Sequence, residues 1–381
     1  NLPAGSAGAI ISLADYAATW QTNTLTVSPN GTDKIGSVSS DVSLNTEGQS
    51  VTFVFVDSTQ GWINTMDSTS NVRANPFMSA TGGTVTESGN CKIHTFTGPG
   101  TFTVTNTSSC AANNEVSYMV VAGGGGAGAG NPGAGGGGGA GGYRESKSPL
   151  TPYTASPLDG RPNAPNIVTV TATAFPITVG AGGAGGPSSG SPPTNQGGTE
   201  GVNSIFSTIT SAGGGHAKQP SSNPGDGGSG GGGGTSTTAG GSGNTPPTTP
   251  AQGNDGGSAA PGSGGHDASG GGGGAGGAGG AGANPGPGGN GGNGTTSSIT
   301  ASPVTRAGGG GGGKRGCGSS PSGAGGGGPG GGGAGAPGNA TGSNGTANTG
   351  GGAGGGAYDG GGQGSGGTGG SGIVVIRYKF Q

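Results

Sequence analysis

Val116-Ser117-Tyr118-Met119-Val120-Val121 is an unbroken β-forming run that passes through Ala122 straight into Gly123-Gly124-Gly125-Gly126 and the glycine tract ending at Gly142. Two physical regimes meet there. The first half of the stretch has the β-branched and aromatic residues of a strand, while the second has almost no side chain to bury. The same junction recurs: Pro176-Ile177-Thr178-Val179 enters Gly180–Gly186, Ile205–Ala212 enters Gly213–Gly215, and Ile299–Ala307 enters Gly308–Gly313. Its mirror closes the chain, where Gly366–Gly372 leads into Ile373-Val374-Val375-Ile376-Arg377-Tyr378-Lys379-Phe380. Strand and tract form a loose repeat without a fixed period.

Outward from that junction, glycine dominates. Of 381 residues, 107 are Gly and 26 Pro, about a third of the chain. From Ser207 to Ala357 there is no aromatic residue, and Ile209, Ile299 and Val304 are the main large aliphatics, so no ordinary core forms there. Composition of this kind by itself favours disorder, because ordering a residue costs ~1–2 kcal/mol and one backbone hydrogen bond returns only ~0.5–1.5. Ordered tracts therefore need neighbours on several sides. A polyproline-II-like rod turns every three residues and points its N–H and C=O groups outward, and glycine lets such rods approach closely enough to bond laterally. The expected architecture is a bundle of polyglycine-II rods, parallel and antiparallel, rising ~3.1 Å per residue. The inserts between tracts become loops at its two ends, where recognition usually resides.

Before residue 122 the chain reads as short strands and turns. Ala9–Leu13, Thr24–Val27, Ser50–Val56 and Trp62–Met66 are the best strands, separated by Pro29-Asn30-Gly31-Thr32 and Asp57–Gly61. Ser50–Val56 is apolar enough that both faces are expected to be covered, most simply by a partner chain. Lys92–Thr97, Gly98-Pro99-Gly100 and Thr101–Thr105 read as a hairpin. The fold class expected is thus all-β N-terminal modules plus a glycine-rich domain of packed polyglycine-II helices anchored on a small β base, with essentially no α-helix. Its parts are a β module over 1–75, a hairpin segment over 76–122, the bundle over 123–372 and a closing strand over 373–381.

Charge is sparse at 7%, with a net of −3, so no basic stripe tracks nucleic acid, and no apolar run is long enough to insert in a membrane. The chain opens Asn1-Leu2-Pro3 without Met or a signal-like segment, and a further upstream piece is expected. Cys91 and Cys110 bracket the hairpin pattern and are a possible disulfide, with Cys317 left over. His94, His216 and His266 lack metal-ligand spacing, and no metal or cofactor is expected. Gly227–Gly231 satisfies G-x-S-x-G and Gly308–Lys314 the start of a phosphate loop, both expected by chance in this background. Arg315 moreover replaces the metal-binding hydroxyl, and no catalytic residue is assigned. Within the longest insert, Tyr143–Asn166, the candidates for receptor contact are Tyr143, Arg144, Tyr153 and Arg161, since aromatic and Arg side chains dominate interfaces. Against that stands a bland reading in which the tyrosines cover the base of the bundle.

Two stretches resemble known proteins. Leu2–Ser68, through Asp15-Tyr16, Gln21–Gly31, Glu47–Val51 and Gly61-Trp62, resembles a β module of tail-fibre and related structural proteins of marine bacteriophages. His94–Val104, Tyr118–Gly125 and Gly372–Tyr378 are similar to the glycine-rich domain of phage fibre proteins, and the architecture resembles T-even-like phage adhesins. The resemblance implies a virion component at a tail fibre or tail tip, extracellular and non-enzymatic. It implies binding to a host cell-surface polysaccharide or outer-membrane protein, contacts with other virion structural proteins, and a homo-oligomer, expected as a trimer. It carries no receptor-contacting residue over position by position. The rival readings are a head-decoration fibre or surface filament without receptor binding, and a polysaccharide depolymerase.

Overall fold

The computed structural model describes residues 1–68, 77–130, 133–188, 197–217, 223–235, 239–260, 262, 267–316 and 323–381. Strands and irregular extended backbone make up nearly all of them. Two 3-10 turns, Ala111–Asn114 and Ala164–Asn166, are the helical elements among the described residues. The chain divides into two compact units, Asn1–Ala74 and Asn75–Gln381.

In the first unit β1 (Ile10–Ala14), β4 (Ser50–Asp57) and β5 (Gly61–Asp67) form an antiparallel sheet, and β2 (Leu25–Val27) pairs with β3 (Val42–Leu44). The core gathers Leu2, Val27, Leu44, Val51, Phe53, Phe55 and a fully buried Trp62. The β4–β5 turn is closed by Asp57, whose Oδ1 accepts the N–H groups of Thr59 and Gln60. Gly61 ends it at φ 71, a left-handed conformation in which a side chain would strike the Lys34 carbonyl. Within the chain, Val51, Phe53 and Phe55 of β4 are buried, whereas Thr52 and Val54 are half-buried and Val56 is exposed. Period-2 geometry sorts an almost unbroken apolar run into two unequal faces.

The second unit contains β6 (Ser79–Thr81), β7 (Thr84–Ser88), β8 (Cys91–Phe96), β9 (Gly100–Asn106), β10 (Glu115–Val121), β11 (Tyr143–Ser146), β12 (Val168–Thr169), β13 (Ala174–Thr178), β14 (Ser204–Phe206), β15 (Ile209–Ser211), β16 (Thr295–Ser297), β17 (Val304–Arg306) and β18 (Ile373–Lys379). One sheet has the order β11-β10-β18-β8-β7 with β12 also on β10, and another the order β15-β14-β13-β9-β6. Val116, Tyr118, Val120, Val374, Ile376 and Tyr378 of the first sheet share a core with Phe102, Val104, Ile177, Phe206 and Ile209 of the second. Edge-on ring contacts cross the interface, Tyr118 to Phe206 at 6.0 Å and Tyr378 to Phe102 at 6.2 Å. On the other face of the first sheet Met119, Val121, Ile373 and Val375 pack with Tyr143, Ile299 and the methyl groups of Ala140, Ala275 and Ala307. Both faces of β10 and β18 are therefore covered, as their continuous apolar character requires.

Two expectations change here. β8 and β9 do not pair: β8 lies between β18 and β7, and β9 between β13 and β6, so Gly98-Pro99-Gly100 carries the chain from one sheet to the other. The hairpin of this segment is β7–β8 instead. Cys91 and Cys110 are accordingly not brought together by a shared hairpin. Cys91 is a buried free thiol opposite Lys379, Cys110 an exposed one, and they form no disulfide. Ile205–Ala212 also folds back on itself as β14–β15, with Phe206 opposite Ile209.

The glycine tracts form the predicted lattice, and the hydrogen bonds show its period. The N–H groups of Gly124, Ala127 and Gly130 donate to the carbonyls of Gly370, Gly367 and Gly364, while Ala122, Gly125 and Gly128 donate to Gly142, Gly139 and Gly136. Gly123 and Gly126 donate to Val202 and Thr199. Every third residue faces the same antiparallel neighbour, which is the threefold geometry of polyglycine II. The carbonyls of this rod serve three more neighbours, all parallel: Gly124 and Ala127 accept from Gly183 and Gly186, Gly125 and Gly128 from Ala353 and Gly356, Gly123 and Gly126 from Gly214 and Ala217. Six rods thus surround one. Rods 122–130, 135–142 and 364–372 continue strands β10, β11 and β18, so the sheet sets the spacing from which the lattice grows.

Candidate functional site

The strand-to-rod junction places the Tyr143–Asn166 insert at the sandwich end of the bundle. Alternation along β11 sends Tyr143 and Glu145 to one face and Arg144 to the other. The buried Glu145 carboxylate accepts from the Tyr143 hydroxyl at 2.8 Å, the Ser156 N–H at 3.0 Å and the Ser297 hydroxyl at 2.6 Å. Burial, then the adjacent Glu145 charge, hold the Tyr143 phenol well above its usual range. Burial lowers the pKa of the nearby Arg306 guanidinium, an effect that the Tyr143 and Glu145 charges oppose. Tyr153 has Arg377 5.4 Å and Lys147 5.5 Å from its ring centre, and Arg377 is itself buried, donating to the carbonyls of Ile299 and Pro152. Both tyrosines therefore brace the base of the bundle. Arg161 is partly exposed and pairs with Glu115 at 2.7 Å.

Arg144 differs from these three. Its guanidinium donates to Asn166 Oδ1 at 2.6 Å and, weakly, to the Thr210 carbonyl at 3.5 Å, and burial lowers its pKa. It lines a cavity of about 490 Å³ together with Asn163–Asn166 and Pro247–Thr249. Asn166 is fixed in turn, its Nδ2 donating to the carbonyls of Gly160 and Thr249. The facing turn is held by Asn244, whose Oδ1 accepts from the Thr248 N–H and hydroxyl.

A second group of polar side chains gathers at the opposite end of the rods. Rods 307–314 and 351–357 both run away from the sandwich, and register brings their ends together. There Arg315 pairs with Asp267 at 3.1 Å and lies 5.4 Å from the ring centre of Tyr358. The nearly buried Lys314 donates to the Gly286 carbonyl. Tyr358 and Asp267 were not singled out from sequence. The available signal was an isolated aromatic ending a tract that otherwise lacks one.

The chance motifs resolve into lattice. Gly308–Lys314 is an interior rod whose N–H groups bond alternately to the tracts around Gly292, Gly138 and Gly333 and so are not offered to a phosphate. Ser229 is fully buried with no hydrogen-bond partner for its hydroxyl among the described residues, and the His216 ring lies 3.6 Å from the Glu200 carboxylate. His94 is a core residue, while His266 and Cys317 lie outside the described residues. Among the described residues no three His, Cys, Asp or Glu side chains are grouped to hold a metal ion, and no helix is long and apolar enough to cross a membrane.

A family model described as a glycine-rich domain matches residues 94–379, from the middle of β8 to the last residue of β18. No curated protein matches the chain.

Proposed function

The chain belongs to the glycine-rich domain family, and from that membership we propose that it is a non-enzymatic structural and adhesive protein that displays loops on a rigid polyglycine-II scaffold. The observation that carries this reading is the three-residue hydrogen-bond period, by which each rod is bonded to several neighbours and the described connecting segments lie at the rod ends. Exposed segments on a stiff support suit recognition. The resemblance of Leu2–Ser68 and of the glycine-rich part from His94 to Tyr378 to phage fibre proteins directs the proposal to a virion tail fibre or tip that attaches to a host cell-surface polysaccharide or outer-membrane protein.

Exchange of the Tyr143–Asn166 or Thr235–Asp255 insert with that of a relative from another host tests it. Host range or cell binding is expected to follow at least one insert, and a host range that follows none of them overturns the adhesive part. Labelling the protein in an intact particle separates the rival structural reading: a position on the capsid, or in filaments shed by cells, removes the tail assignment.

A further inference from the structure

We propose that the cavity at Arg144 is a binding site for a carboxylate-bearing sugar residue, such as a hexuronate of an acidic surface polysaccharide. The inference rests on the adhesive reading above and names the ligand class of one part of it. Its first ground is an uncompensated charge. The other partly exposed cations near this end have carboxylate or aromatic partners: Arg161 pairs with Glu115, and Lys147 lies over Tyr153. Among the described residues, the Arg144 guanidinium instead donates to an amide and a backbone carbonyl, both neutral, and is partly withdrawn from water. A guanidinium carries five N–H donors, so several remain for a ligand. Its planar fork matches a carboxylate with two parallel bonds.

The second ground is shape. The cavity, about 490 Å³, falls in the range of small-ligand sites, and Pro165, Pro247 and Ala164 give it apolar walls on which a pyranose ring can lie. Asn163 and Thr249, both exposed, are among its lining residues and carry polar side chains of the kind that suit sugar hydroxyls. The third ground is preorganisation. Asn166 orients Arg144 while anchored to Gly160 and to Thr249, so the two walls and the charge are tied into one unit before a ligand arrives.

The test is calorimetric titration of the full chain with a trimer of galacturonate, its methyl ester and inorganic phosphate. The trimer is expected to bind, the ester at least tenfold more weakly. Arg144→Gln is expected to lose at least tenfold, and Arg144→Lys, which keeps charge without the fork, to fall between. If Arg144→Gln fails to fold, Thr249→Trp, on the exposed rim, blocks the mouth and is expected to give the same loss. No binding of the trimer, equal binding of ester and acid, binding of phosphate in preference to the trimer, or undiminished binding by the Trp variant each overturns the proposal. Cell binding is read in parallel on the same variants. If it survives while trimer binding is lost, the cavity is not the attachment site, and the loop-display reading stands on the insert exchanges alone.

Discussion

At Gly310 a methyl group in place of hydrogen would overlap the carbonyl oxygen of Ala353 on the neighbouring rod, and backbone cannot move aside as a side-chain tip can. Gly98, at the crossing between the sheets, has open space in the same direction. Gly310→Ala is therefore expected to destabilise the second unit by about 1–3 kcal/mol, as overpacking does, and Gly98→Ala to stay within about 0.5 kcal/mol of the parent. Denaturant unfolding of the two variants checks this, and equal midpoints would show that the rods are looser than the lattice requires. His94 carries a different residue-level consequence. Fully buried, it donates from Nδ1 to the Gly82 carbonyl at 2.7 Å, and Nε2 lies 3.4 Å from the Tyr378 hydroxyl. Burial lowers its pKa, the Gly82 bond offsets part of that, and Lys92 lowers it further. The folded state thus holds the neutral ring while the unfolded chain takes up a proton near pH 6.5. Stability from this residue is complete above that pH and declines as pH falls from 6.5 toward the lower folded value. Thermal midpoints between about pH 7.5 and about pH 5 are expected to fall less in His94→Phe than in the parent.

A rod answers to register rather than to side chains. Because each third residue meets the same neighbour, one extra glycine between Gly310 and Gly311 rotates the rest of that rod by a third of a turn, so that Gly311 to Gly313 face the wrong carbonyls. Three extra glycines add a whole turn, about 9 Å, and restore the match. The single insertion is expected to lower the unfolding midpoint more than the triple one; the reverse order would rule out threefold register as the organising constraint. That register was legible in sequence because strands feeding glycine leave few ordered alternatives. The strands that flank it were legible too: β10 and β18 are long apolar runs with one reading. Partner choice was not. Lys92–Thr97 and Thr101–Thr105 have every local mark of a hairpin, yet β8 is claimed by β18, nearly three hundred residues on, and pairing energy that distant leaves no trace in a local window. β11 was missed because Tyr143-Arg144-Glu145-Ser146 has a single apolar residue and becomes a strand by lying against β10. Of the four proposed contact residues, sequence gave type but not burial. Tyr143 and Tyr153 brace the base, Arg161 is paired with Glu115, and Arg144 lines a cavity. The Asp267, Arg315 and Tyr358 group was hidden for the same reason, since its members meet only once the rods are in register.

Across the whole second unit, the closing strand is expected to decide whether the fold forms. β18 is the last element made, yet it sits between β10 and β8 in the middle of its sheet, and it contributes Val374, Ile376 and Tyr378 to one core and Ile373 and Val375 to the other. Rod 364–372, which precedes it, occupies one of the six positions around rod 122–130. Contacts of such long range bring their stabilisation only after a large loop entropy has been spent, so little of the lattice is expected to be stable before β18 docks. The first unit, Asn1–Ala74, has its own core and none of its strands pairs with β18. A chain ending at Gly372 is accordingly expected to lose the cooperative unfolding transition of the second unit and the slow amide exchange of Gly124, Gly138 and Gly310, whose N–H groups are all bonded across rods. The transition of the first unit is expected to remain. Hydrogen exchange followed by mass spectrometry on both chains reads the two units separately. Protection persisting in the rods of the shortened chain would mean that the glycine lattice stands without its closing strand, and that the sandwich rests on the rods rather than the rods on the sandwich.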